Sequence, residues 1–201
     1  MAESSEHEMF RFKASPLFWQ QKAGELKHAA ELLWPECQRQ KQLLTDFLQA
    51  RMVDINHPAP SDPHFIFPIY MALIGFSTEC LFKGIILKDN PKYIGNGHLH
   101  KDLRTHDLDR LARLTSKELS RNERIFCRQA VPYMTVKHRY PVPTAHNGLS
   151  TTSERGGHCR EVFLAMYARL YPELNFVVPR KGELKEFSYS GAKGEPNMPK
   201  A

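Results

Sequence analysis

The segment Pro68-Ile-Tyr-Met-Ala-Leu-Ile-Gly-Phe-Ser-Thr-Glu-Cys-Leu-Phe-Lys-Gly-Ile-Ile-Leu-Lys88 decides the fold. It is apolar nearly all the way round, which marks a helix at the centre of a bundle rather than on its surface. Its longest uncharged run, Phe65 to Thr78, spans 14 residues before Glu79 and Lys83 interrupt it. That is short of the roughly 20 apolar residues a membrane span needs. The segment therefore reads as a buried core helix, and no membrane partner is expected.

Helical signals lie on both sides of it. Ser15-Pro16 is a helix start, with Ser able to cap and Pro preformed for the first helical position. Phe18, Ala23, Leu26, Ala29, Ala30 and Leu33 then recur at helical spacing. Pro35 predicts a break or kink near Trp34, after which Leu43, Leu44, Phe47 and Leu48 resume the pattern. The proline-rich stretch 57–68 and the stretch 89–102, with Gly95-Asn96-Gly97, read as loops. Thr105 is placed to cap a short helix running to Arg113. Thr115-Ser-Lys-Glu118 has the form of a capping box, opening a helix to about Val136 with Pro132 as a kink site. A last helix is expected over about Glu154 to Leu170. Asn175-Phe-Val-Val178 fits a short strand or a packed coil.

These signals predict an all-α, up-and-down bundle of four to six helices. Residues 1–14 form a flexible leader, 15–171 the bundle, and 172–201 an extended, partly disordered tail rich in Pro, Gly and Lys. A chain of 201 residues is long enough to bury a real core. Its four cysteines lack metal-ligand spacing, and the acidic N-terminus lacks an apolar signal core, which favours a reducing cytosol. The net charge of +6 is compatible with an anionic partner but does not specify one.

The candidate chemistry starts with Glu79 and Lys83. Four residues apart, they share one helix face. They form either a solvent seam on the core helix or a polar site inside the bundle. In the second case Glu79 orients a basic group, Lys83 meets phosphate, and a buried Glu79 must have a partner. His106 and Asp107 stand at a helix start, where an acid favours the helix dipole. His106 either packs its ring on a neighbour or aims at a polar site shared with Glu79 and Arg139. His98-x-His100 with His106 suggests a metal, but no carboxylate or thiol has the spacing to complete the set, so no metal or cofactor is assigned. Arg155-Gly-Gly-His158 reads as a loose turn or as an approach for an anion.

Three segments, in this order, resemble the HEPN superfamily of prokaryotic helical nucleotide-binding and ribonuclease domains. They are Phe18-Trp19 to Trp34; Ala72-Leu-Ile-Gly-Phe-Ser-Thr-Glu-Cys-Leu-Phe-Lys-Gly84; and Thr105-His-Asp-Leu-Asp-Arg-Leu-Ala112. Arg139-Tyr140-Pro141 also resembles the segment that comes after the next helix in relatives. The resemblance covers roughly residues 16–170. It implies a cytoplasmic homodimer acting on or binding RNA or a nucleotide in a defence or toxin–antitoxin setting, with an antitoxin-type protein as a possible partner.

HEPN ribonucleases carry an Arg-x4–6-His motif and cut RNA without metal. A fixed cation steadies phosphate charge while an imidazole moves protons. Two pairs here have that spacing, Arg51/His57 and Arg139/His146. Chance placement gives about two such pairs in a chain this rich in Arg and His, so spacing alone decides nothing. Arg139/His146 spans Pro141 and Pro143 and does not lie on a helix. It does fall near the family's usual position. The residues expected to carry function are Arg139, His106 and Glu79 for catalysis, with Lys83, Tyr140 and His146 contacting the ligand. The competing expectation is a non-catalytic helical interaction module in which these polar groups fix bundle geometry.

Overall fold

The computed structural model describes residues 9–59, 66–95, 97–135 and 156–174. Residues 9–13, expected as part of a flexible leader, are helical, and five longer helices follow: α1 (Pro16–Val53), α2 (Phe67–Asp89), α3 (Leu108–Leu114), α4 (Arg121–Thr135) and α5 (Gly156–Leu170). A two-residue hairpin pairs β1 (Ile94–Gly95) with β2 (His98–Leu99) between α2 and α3. The leader residues 1–8, the possible strand 175–178, the tail beyond it and Arg155 lie outside the described residues.

The direction of each helix follows from its contacts. Trp19 meets Gly84, Ser77 Oγ donates to the Ala23 carbonyl at 2.8 Å, and the Ile66 N–H donates to Gln40 Oε1 at 3.0 Å. So α1 and α2 are antiparallel. Gln129 accepts from Cys159, Phe126 packs at a tilt against Phe163, and Arg169 reaches Glu123, which sets α4 and α5 antiparallel. Arg160 pairs with Glu31 while Tyr167 faces Gly24, so α5 is also antiparallel to α1. The long helices form the expected all-α, up-and-down arrangement.

α2 is the axis. From Tyr70 to Leu87 every residue except Leu73 and Phe76 is buried. It is long and apolar enough to cross a membrane, but here the other helices cover it. Gly75 and Gly84 permit close approach. A Cβ on Gly75 would meet the Met134 side chain, and one on Gly84 would meet Leu174 and Trp19 Cβ. Leu174, in the 3-10 turn Tyr171–Leu174, is fully buried, so the packed core reaches that residue. Cys37, Cys80, Cys127 and Cys159 are free and buried, small hydrophobes within the core. Burial pushes the Cys80 and Cys127 thiols up to about 12, which holds them protonated.

Several local expectations are corrected. α1 does not break at Pro35. An interior proline costs about 3 kcal/mol, and tertiary contacts on both sides offset it. Trp34 packs on Tyr70 at 4.9 Å, Glu31 is paired by Arg160, and Cys37 is buried. Thr115-Ser-Lys-Glu118 is not a capping box. Thr115 Oγ donates back to the Ala112 carbonyl and closes α3, and Ser116 turns the chain with a left-handed φ of 55°. The box lies in the next match to the same pattern. The Ser120 N–H donates to Glu123 Oε2 at 2.7 Å, and the Glu123 N–H donates to Ser120 Oγ at 3.2 Å. Thr105 does not cap α3 directly. It accepts from the Asp107 N–H at 3.0 Å, and Asp107 Oδ1 caps the helix by accepting from the Arg110 N–H at 3.0 Å.

α1 outruns its partner. The start of α2 lies opposite Gln40, so the residues from Lys41 onward project about 20 Å at 1.5 Å per residue. Ala23, Ala30 and Cys37 lie on the α1 face turned to the core, seven residues apart. The same stripe continues as Leu44 and Leu48, where it is exposed.

Candidate functional site

Phe76, Glu79 and Lys83 succeed one another at spacings of three and four, so they form a single stripe on α2. Both charged residues are buried, each with 6 % of its surface exposed, which rules out the solvent-seam reading. Lys83 Nζ is 2.5 Å from Glu79 Oε1 and lies over the Trp19 ring at 5.5 Å. A lone buried charge is costly, and mutual pairing is what lets both sit in the core. Trp19 closes the Lys83 side with an aromatic face, which attracts a cation.

The second carboxylate oxygen faces outward. Glu79 Oε2 is 2.8 Å from His106 Nδ1. The imidazole packs edge-on against Phe76, with ring centroids 5.9 Å apart, and its side chain is 51 % exposed. An ionised carboxylate only accepts, so the hydrogen bond places a proton on Nδ1 and leaves Nε2 outside the contact. His106 has no other hydrogen-bond partner among the described residues.

The segment before α3 holds this imidazole in place. Leu103 and Leu108 are fully buried and anchor the chain on either side of it. The hairpin brings the His100 N–H to the Tyr93 carbonyl at 2.8 Å, and Arg104 Nε donates to the Leu99 carbonyl at 2.9 Å. Asp102, buried, pairs with both Arg110 and His100. A rigid support of this kind is what a proton-transfer group needs, because it fixes the direction of the lone pair.

The structure therefore brings together three of the six residues picked out from the sequence, Glu79, Lys83 and His106. Arg139, Tyr140 and His146 lie outside the described residues. The other Arg/His pair is elsewhere. Arg51 lies over the Phe47 ring at 5.5 Å and donates to the Ile55 carbonyl, and His57 meets the same ring at 6.3 Å. That pair is on the projecting end of α1, roughly 40 Å along the helix from the level of Glu79. His98, His100 and His106 do not assemble a metal site, since no group of three His, Cys, Asp or Glu side chains among the described residues has that geometry.

Two contributors were not singled out from the sequence, Phe76 and Trp19. Phe76 carried a readable signal, because it stands three residues before Glu79 on the same stripe. Trp19 carried none, since its place over Lys83 depends on the antiparallel register of α1 and α2.

No protein-family model, no curated protein and no solved structure matches this chain. The HEPN resemblance rests on the order of the three sequence segments.

Proposed function

We propose that this chain is a HEPN-like protein that binds and cuts RNA in the cytosol without a metal, with His106 as the proton-transfer group. The observation that carries the reading is the bridging carboxylate. Glu79 spends one oxygen on buried Lys83 and the other on His106 Nδ1, so Nε2 is the nitrogen left over on a half-exposed ring. Carboxylate–imidazole pairs of this form stabilise the imidazolium that a general base becomes.

In the reaction, Nε2 takes the proton of a ribose 2′-hydroxyl, whose oxygen attacks the adjacent phosphorus. The imidazolium returns that proton to the departing 5′ oxygen, and a 2′,3′-cyclic phosphate remains. Arg139 is assigned to the phosphate charge, with Tyr140 and His146 contacting the nucleotide. Lys83 orients Glu79 through their 2.5 Å contact. Its ammonium faces Glu79 and Trp19, so in this reading it positions the carboxylate and does not itself meet phosphate.

The setting that fits is prokaryotic defence or a toxin–antitoxin pair, with an antitoxin-type protein as the restraining partner. The assembly proposed is a homodimer. Its support is the exposed pair Leu44 and Leu48, which continues the core-facing side of α1 past the level where α2 starts. A second copy would present the same stripe about a two-fold axis.

The test is labelled RNA incubated with purified protein, with and without EDTA. EDTA-insensitive cleavage that His106→Ala and Arg139→Ala each abolish, in variants that keep their far-UV spectrum, is the expected result. The second reading, a non-catalytic interaction module, draws on the mutual saturation of Glu79 and Lys83 in the core. Intact RNA in every lane, together with a stable protein complex, would establish it instead.

A further inference from the structure

A second polar feature lies between α3 and α4, apart from His106. It is a cleft of about 70 Å³ lined by Asp109, Arg113, Lys117, Arg124 and Arg128 over a floor that includes Ala112 and Leu119. Local structure explains the assembly. Asp109 and Arg113 are four residues apart on α3, and Arg124 and Arg128 are four apart on α4, so each pair shares a face. The left-handed turn at Ser116 returns the chain so that Lys117 and Leu119 close the end between the helices.

The charges do not balance within the cleft. Arg128 Nε is 2.8 Å from Asp109 Oδ2, and Lys117 Nζ is 3.0 Å from Glu173 Oε2. Arg124 donates its Nε to the Leu119 carbonyl at 3.2 Å and has no carboxylate partner among the described residues. Arg113 has no hydrogen-bond or ion-pair partner among the described residues. Among the described residues, four cations therefore line the cleft with one carboxylate, and two of the guanidinium groups have no acid. Like charges brought this close repel unless an anion lies between them.

The excess of cations over the one lining carboxylate makes an oxyanion the fitting ligand. Guanidinium forks match the oxygens of such a group two at a time. We propose that this cleft is a phosphate-group site, with Arg113 and Arg124 as its two primary donors and Arg128 holding Asp109 away from the anion. The site stands independently of the His106 reading. The phosphate belongs either to a terminal monoester or to a backbone diester, and the experiment separates the two.

Calorimetric titration of the full chain with inorganic phosphate, at constant ionic strength, reads the site directly. The Arg113→Gln/Arg124→Gln variant is expected to lose at least tenfold in affinity. A control with the same net charge, Lys41→Gln/Lys92→Gln, and His106→Ala should both bind as the unaltered protein does. Arg113→Lys/Arg124→Lys, which keeps the charge but not the forks, should fall between. An oligoribonucleotide with a 5′-phosphate that binds more tightly than its 5′-hydroxyl twin assigns a terminal phosphate. Equal binding of the two, weakened equally by the Arg variant, assigns a backbone phosphate. Equal loss in the Lys41/Lys92 control, or no phosphate binding by the unaltered chain, overturns the proposal.

Discussion

Glu79 stands between Lys83 and His106 with one carboxylate oxygen turned to each, at 2.5 and 2.8 Å. Removing its charge strands Lys83, which has no solvent to turn to. Glu79→Gln should therefore destabilise the fold by about 3–5 kcal/mol in urea denaturation. Adding Lys83→Met should recover most of that loss, because Met fills the space without a charge. A double variant as unstable as the single one would show that the pair is not the origin of the penalty.

The link between α4 and α5 predicts a pH dependence. Burial raises the Glu123 carboxyl, but hydrogen bonds from Arg169 and the Ser120 N–H outweigh it, and the group ends below its usual value. A lowered folded value means the carboxylate contributes stability above the unfolded value of about 4.3 and loses it as pH falls through the folded one. The stability gap between the unaltered protein and Glu123→Gln should be widest near neutrality. It should close as acid protonates the native carboxyl. Urea midpoints measured from neutrality down to about pH 3 would show this, and a gap independent of pH would refute it.

The Tyr70 hydroxyl is buried without a hydrogen-bond partner among the described residues. An orphaned buried polar group costs about 1–3 kcal/mol. Tyr70→Phe keeps the ring against Trp34 and Phe67 and removes that cost. Its melting temperature should be equal or higher by a few degrees. A clear drop would reveal a partner or a bound water at the hydroxyl.

The projecting end of α1 predicts an effect on assembly. Leu48→Asp places a charge on the exposed stripe and far from the core. Sedimentation should show a dimer for the unaltered protein and a monomer of unchanged helicity for the variant. The same mass for both would leave the stripe without a second copy to cover it.

How much of this was legible in the sequence depends on the range of the interaction. The apolar run of α2 and the helical spacing of α1, α4 and α5 are local, and they were read correctly. Pro35 misled because its cost is local while its compensation, through Trp34, Tyr70, Glu31 and Arg160, comes from partners far along the chain. The capping box was misplaced because two Ser/Thr-x-x-Glu matches lie five residues apart. Only tertiary packing shows that Ser120 and Glu123, with buried Phe126 three residues on, begin the helix. The Glu79–His106 contact joins residues 27 apart, and no spacing rule reaches that far. What could be read was a demand, that a charge inside a greasy helix must find a partner.

The length of α1 also has a dynamic consequence. Its first half is held by α2 and α5, its amides shielded on the side facing Ala23 and Ala30. Beyond Gln40 the backbone has solvent around it, and Pro35 has already removed one rung, the hydrogen bond to the Glu31 carbonyl. In deuterated buffer the helix should divide into two populations. The anchored half should exchange only through rare large-scale opening, and the free half through fast local fraying.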